Sequence, residues 1–541
     1  MRFTHERLHG GASSEAPLLH VFHVDTLQEF SYNEHGGVVR SVLRHADAQT
    51  PQIVSGTAYQ HNGNHILSQT DARGKTVTHD IDENTDLTRA VTDPNGQQVQ
   101  YAYDSAPRYE YAYNARGGVA WVRNNRLNTI ARSDYDFGGS PRSMVTQDAS
   151  GANVYTARVD YDTCGRLARF AEQVGASRAA YETTFGYDRE DRPTALTYGS
   201  SASKTETAYD GLGRLSTRKV YVNGSAYTTA YAYAPGAESG QTTALVQEIA
   251  QPGENHSYAY DNVGNIVSAA RNGVTTTYAY DALGQLIQVN DRNDTRSGES
   301  DTTWKYTYDL GGNILKKERF AYADTTNPLE TVTYEYGDAN WRDKLTAVNG
   351  STIRYDAIGN PLSDGTWTYT WQNGRQLQKM QKSGVTAEFV YNADGLRVQK
   401  TVNGVATKYT LHGKNVVHMT SGTDELHFFY DAQNRPAVVV YNGVPYAYVK
   451  SLQGDIVAIL DENGNAVVSY GYDAWGAPLW CTGELAETLG KVQPFRYRGY
   501  VFDEETGLYY LRSRYYNPWW GRFINSDVLL CISKTSKSIN Q

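Results

Sequence analysis

Between residues 101 and 480 the chain keeps returning to one short phrase: Tyr-Asp, two residues, Gly, a polar residue, then an aliphatic residue or proline. It stands as Tyr161-Asp162-Thr163-Cys164-Gly165-Arg166-Leu167 and recurs from Tyr209 to Leu215, Tyr260 to Ile266, Tyr280 to Leu286 and Tyr308 to Ile314. Proline closes the copies from Tyr355 to Pro361 and from Tyr472 to Pro478, and looser copies start at Tyr187, Tyr391 (Asn392 for Asp) and Tyr430. The spacing is elastic: 20 residues separate Asp261 from Asp281, and 28 separate Asp281 from Asp309. A repeated unit settles architecture before local detail does.

Each copy reads as strand, turn, strand. The residues ahead of it alternate, as in Ser257-Tyr258-Ala259-Tyr260 and Lys305-Tyr306-Thr307-Tyr308, which puts every second tyrosine on one face of a strand. Asp then starts a turn by accepting a hydrogen bond from backbone two residues on, and the glycine supplies a positive φ. The polar-aliphatic pair opens the return strand. Stacked hairpins of this kind make one long antiparallel sheet, so the predicted fold class is all-β, with the Tyr and Asp residues in structural roles. Composition agrees: 43 Tyr and 49 Gly stand against 13 Phe, 9 Trp and 4 Met, a strand-and-turn vocabulary with few helix-forming runs. The first hundred residues read as irregular, degenerate β repeats with strand-like pieces at 39–43 and 65–69.

With 541 residues and a net charge of −9 spread along the chain, no basic tract points to nucleic acid. Cys164, Cys481 and Cys531 lie far apart without a CxxC pair, which argues against a disulfide framework or a structural zinc site. No apolar run reaches transmembrane length, and the N-terminus lacks the apolar core of a classical signal peptide.

The repeats lead into PFRYRGYVFDEETGLYYLRSRYYNPWWGRFINSD, residues 494–527. This stretch reads as a β-hairpin. Strands at 495–503 and 508–517 flank the turn Glu504-Glu505-Thr506-Gly507, and a phase change at Gly499 suggests a bulge. On the second strand Tyr509, Leu511, Ser513 and Tyr515 would share one face, and Tyr510, Arg512, Arg514 and Tyr516 the other, as a stacked polar-aromatic layer.

Repeats and terminal stretch together resemble the Rhs/YD-repeat family, in which YDxxGxL-type units precede a core of the form PFRYRGYYYDxETGLYYLxxRYYDPxxGRF. The resemblance implies a β-sheet that spirals into a shell, a core stretch that plugs it, and an effector polypeptide held inside. It divides the chain into degenerate repeats (1–100), a YD-repeat sheet (101–480), the Rhs core (481–527) and a tail (528–541) in place of a toxin domain. It also implies an extracellular or cell-surface location. Because the tail is short and residue 1 enters repeats already under way, the chain reads as a carboxy-terminal piece of a larger shell, or a small form of one. Tyrosine and polar residues on both faces suit a wall around solvent or cargo better than one around a dry core.

Few residues suggest chemistry. His5-Glu6-Arg7-Leu8-His9 has the H-E-x-x-H form, but Gly10-Gly11 deny it a helix, so it is a coincidence of spelling. Asp80, Asp82 and Asn84, and Asp461, Asn463 and Asn465, mimic calcium loops but lack the glycine and glutamate that such loops need, and read as turns. No cofactor or metal is implied. The remaining catalytic candidate is Asp527: in relatives the Gly-Arg-Phe segment runs on to Asp-Pro-x-Gly, where an aspartyl autoprotease frees the effector. Here Val528, Leu529 and Leu530 replace Pro-x-Gly, Asn517 replaces an Asp, and residues 514–526 hold no second acid to share a proton with Asp527. The leading functional reading is a shell or scaffold that encloses or presents an effector. The alternative is a wall-associated module whose tyrosines stack on cell-surface carbohydrate, and a self-cleaving protease comes last.

Overall fold

The computed structural model describes residues 3–4, 19–23, 26–45 and 52–525, the last range with breaks at 62, 64, 83–87, 102–108, 126–127, 176–179, 200–201, 293–300 and 393. Among the described residues the fold is all-β apart from short helical turns, and within each sheet every strand pairs antiparallel with its neighbours in sequence. The strands form sheets of nine (Phe3–Thr4 to Gln98–Gln100), 21 (Tyr109–Tyr113 to Ser351–Thr352), 14 (Arg354–Tyr355 to Pro478–Thr482) and four (Val501–Asp503 to Arg522–Phe523). There is no crossover, as expected of a chain built from consecutive hairpins.

The repeat owes its shape to two interlocking bonds. At Tyr280-Asp281 the aspartate Oδ1 accepts from the backbone N–H of Leu283 (2.9 Å) and Gln285 (2.9 Å), while Gly284 takes φ 74° and closes the turn on the Asp281 carbonyl. The Tyr280 side chain, set at a bulge where the register shifts, donates its hydroxyl to the Ile266 carbonyl 2.9 Å away, on the return strand of the preceding repeat. The same reach-back bond joins Tyr161 to Pro141, Tyr187 to Leu167, Tyr209 to Pro193, Tyr260 to Val246 and Tyr308 to Leu286. The looser copies keep the geometry because Asp191 (φ 61°) and Asn434 (φ 58°) replace the glycine with the side chains that best tolerate the left-handed region. Where the polar residue is arginine, it pairs with its own turn aspartate and covers the next tyrosine: Arg192 lies 4.4 Å from the Tyr209 ring and Arg214 4.0 Å from Tyr233. Ahead of residue 101 the same turn recurs at Asn33, Asp71 and Asp93.

The sheets also pack in layers. Leu196, Tyr198, Val220 and Val222 of the 21-stranded sheet meet Phe429, Val438, Val449 and Leu460 of the 14-stranded sheet in one apolar cluster. The opposite face of that second sheet, including Met419, Leu426, Ile456 and Ile459, packs on Leu489 and Phe495. Strands Pro436–Tyr441 (PAVVVY) and Ile456–Leu460 (IVAIL) are therefore covered on both sides, the physical meaning of their unbroken apolar spelling. This corrects the expectation of a sheet without a dry core. The correction applies where 196–227 lies over 429–460, whereas few residues of the nine-stranded sheet are fully buried. Arg218 crosses the same seam to Asp431 (3.2 Å), which Lys450 also meets (2.9 Å). Burial would raise the Asp431 carboxyl, but Lys450 and Arg218 bring it down to about 2.

The reach-back bond can be tested one repeat at a time. Replacing Tyr280 with Phe should cost about 1 kcal/mol and replacing Asp281 with Ala about 1–2 kcal/mol, read as lower urea midpoints. A Tyr280→Phe chain as stable as its parent would show that the hydroxyl contributes nothing.

Candidate functional site

From Leu489 onward the chain stops extending the large sheet and folds against it. A single helical turn, Leu489–Val492, buries Leu489 and delivers Gln493, which is fully enclosed. The Gln493 amide donates to the Tyr470 hydroxyl (2.8 Å) and the Phe495 carbonyl (2.9 Å), and its oxygen accepts from Tyr448 (3.1 Å) and the Phe495 N–H (3.0 Å). Arg496, also buried, donates to the carbonyls of Gly490 and Gln493 and to Glu504 (3.0 Å), with its guanidinium 4.3 Å from the Tyr470 ring. Such a network is stabilising only because nearly every polar atom in it has a partner.

The strongest lock is ionic. Asp503, on strand Val501–Asp503, receives both guanidinium nitrogens of Arg397 (2.6 and 3.0 Å) and the Lys400 ammonium (3.2 Å), and the Arg397 and Asp503 side chains are 1% and 0% exposed. Burial would raise the Asp503 carboxyl, but Arg397 and Lys400 hold it below the usual carboxylate range. The Arg397 guanidinium also stacks 4.4 Å from Tyr510, whose hydroxyl accepts from the Arg397 backbone N–H (2.8 Å). Three core tyrosines donate to one YD turn: Tyr497 to Ala474 (3.2 Å), Tyr516 to Trp475 (2.8 Å) and Tyr509 to Gly476 (2.8 Å). Tyr515 meets Tyr391 hydroxyl to hydroxyl (2.8 Å), Lys317 donates to the Trp519 carbonyl (3.0 Å), and Arg522 reaches Tyr336 (2.7 Å) and the Asp343 carbonyl (2.9 Å). The core thus ties together strands more than 150 residues apart.

Its geometry differs from the predicted hairpin in two places. Residues 495–500 are not a bulged strand: Tyr497–Gly499 forms a 3₁₀ turn with Arg498 (φ 53°) and Gly499 (φ 69°) both left-handed, because the Asp455 carboxylate accepts the Arg498 N–H (2.8 Å). The second run also splits, since Arg512 takes φ 64° and the chain reverses at Arg512-Ser513, pairing Leu511 with Arg514 and Tyr510 with Tyr515. The proposed face with Tyr510, Arg512, Arg514 and Tyr516 in line therefore does not exist. Arg514 instead lies 3.6 Å from the Phe523 ring. Nothing in the local spelling singled out Arg397, Lys400, Lys317 or Tyr336 as partners of the core.

Asp527 and the His5 to His9 motif lie outside the described residues. Asp461 is a turn aspartate, accepting from Asn463 and Asn465, whereas Asp80 sits within strand Thr76–Ile81 rather than in a turn. Among the described residues no group of three or more His, Cys, Asp or Glu side chains is arranged to hold a metal, and no helix is long and apolar enough to cross a membrane.

Three further carboxyls face the interior beside the core. Burial raises Asp455 and Asp473, with Arg498 and Lys317 respectively opposing, and pushes Asp291 up to about 6 with help from Asp473. Each is tied to local donors: Asp455 to Ser451 (2.6 Å), Asp473 to the N–H groups of Trp475 and Ala477, and Asp291 to the Thr276 hydroxyl (3.0 Å). These bonds give them structural roles.

Two stability measurements check this account. Arg397→Ala should cost about 3–5 kcal/mol by stranding Asp503, whereas replacing both partners with apolar residues should cost far less; equal losses in thermal melts would refute the pairing. For Asp291, a folded-state value above that of the unfolded chain means that ionisation destabilises the fold as pH rises from about 4 to 6. Asp291→Asn should accordingly stabilise by roughly 2–3 kcal/mol at pH 7.5 and not at all below pH 4.

Residues 257–541 match the family model described as teneurin YD-shell. The tRNA nuclease WapA of Bacillus subtilis (strain 168) is 37% identical over 236 residues, covering 42% of this chain and 10% of its own length. Double-stranded DNA deaminase toxin A of Burkholderia cenocepacia (strain H111) is 22% identical over 454 residues, covering 79% of this chain and 28% of its own. Among solved structures, the crystal structure of TcdB2-TccC3-Cdc42 shares the fold with a TM-score of 0.58 at 17% identity, over 94% of this chain and 30% of that one. The chain therefore spans a tenth to under a third of the length of these relatives.

Proposed function

Because this chain belongs to the Rhs/YD-repeat family, in its teneurin-type YD shells, we propose that it is a structural wall segment that encloses or presents an effector polypeptide, acting outside the cell or at its surface. The observation that carries the reading is the core module, whose bonds to Arg397, Lys317, Tyr336 and the turn at 473–476 fasten distant strands to one another. The relatives add support. One is named a tRNA nuclease and another a DNA deaminase, so the region they share with this chain fits a common container better than either chemistry.

Carbohydrate binding draws no support from the geometry, since the repeat tyrosines spend their hydroxyls on backbone carbonyls. Self-cleavage through Asp527 needs a second carboxyl able to share a proton. Asp503, the fully buried acid of the core, is held ionised by Arg397 and Lys400 and is unsuited to that role.

A poorly folding reporter fused after Gln541 should resist proteinase K for much longer than the same reporter alone. Digestion at the free rate would defeat the enclosure reading. Intact mass of the unfused chain should stay uncut over days, in the parent and in Asp527→Asn alike; a parent-specific product cut near residue 527 would restore the protease.

A further inference from the structure

In the 21-stranded sheet successive connections alternate between the two edges, so the YD turns from Tyr161 to Tyr308 all lie along one edge. The opposite edge turns at polar pairs such as Asn223-Gly224 and Asn272-Gly273. The YD edge carries Leu212, Val263, Leu283 and Leu310 at its turn tips, between the aspartate and the glycine, each at least 68% exposed. Val263, Leu283 and Leu310 stand on three hairpins in succession, about 10 Å apart at two strand spacings each. Leu212 stands two hairpins earlier, beyond the polar loop at 236–241.

The turn does not ask for an aliphatic residue there. Asp281 holds Leu283 through its backbone N–H, and Glu190, Gln433 and Asn463 make the same bond from the same position with polar side chains. Where the tip is Trp475 it is half-buried, its ring edge-on to Tyr306 with 5.6 Å between centroids. An apolar tip therefore serves as an anchor where another surface covers it. A single exposed leucine is ordinary, but a row of them along one edge marks a contact with something apolar.

Charge identifies the partner. The three successive turns hold Asp261, Asp281 and Asp309 and follow the glycine with Asn265, Gln285 and Asn313, so none of them supplies a base. Arg73, beside the last turn, is paired with Asp343 (2.9 Å). A second copy set edge to edge would oppose two acidic rows. The tips are also knobs on small or polar shoulders, Gly211, Asn262, Ala282 and Gly311, and lack the continuous area of a protein interface. A bilayer closes around separate knobs. We propose that this edge rests on an electrically neutral phospholipid surface, with the four aliphatic side chains reaching past the headgroups and the turn aspartates staying among them. This holds whether or not the chain encloses an effector.

The test is sedimentation of the full chain with vesicles of phosphatidylcholine. The chain should sediment with them, and no more strongly when phosphatidylserine is mixed in equally. Leu212→Ser, Leu283→Ser and Leu310→Ser, all at exposed positions, should keep the parent's thermal melt and each lower the partition about tenfold. A chain that stays in solution, binding that all three substitutions leave unchanged, or binding that strengthens with phosphatidylserine would overturn the proposal. So would a dimer seen by light scattering and dispersed by Leu283→Ser, which would give the edge to a second copy.

Discussion

The structure depends on a hydroxyl that reaches backward. In most YD units the tyrosine before the turn donates to a backbone carbonyl on an earlier return strand, and the aspartate or asparagine beside it organises the turn by accepting two amides. The first bond joins neighbouring hairpins and the second shapes each one. Together they let a sheet grow strand by strand without a helix or crossover, because every hairpin arrives with its link to the last. They also explain why tyrosine, not phenylalanine, dominates the aromatic content: the ring packs on the sheet while the hydroxyl satisfies a carbonyl.

A sheet assembled from local links needs something non-local to fix its curvature and end it. The core supplies that by inserting charged and amide groups where water cannot follow. Gln493, Arg496 and Asp503 are costly to bury alone and stable only with the partners that other strands present, so the core fits one arrangement of those strands. The apolar seam between 196–227 and 429–460 works in the same direction, pressing two distant parts of the sheet together.

The repeat units, their turn glycines and the all-β class were legible in the sequence, as was the special standing of the stretch from Pro494 on. Its internal path was not. Two residues with side chains, Arg498 and Arg512, take left-handed backbone conformations that their neighbours enforce, and alternation counted through them assigned the wrong faces. The partners of the core were equally hidden, since Arg397 and Lys400 look like ordinary polar positions of a strand. The one catalytic candidate, Asp527, lies outside the described residues.

By itself, the sequence determined the hairpin unit, because an Asp-turn, a positive-φ glycine and alternating tyrosines act within a few residues of one another. Only the tertiary structure decided which strands are covered on both faces and which cations meet Asp503. Those outcomes come from groups a hundred or more positions apart, brought together by the cost of burying charge without a partner, and no local pattern records that cost.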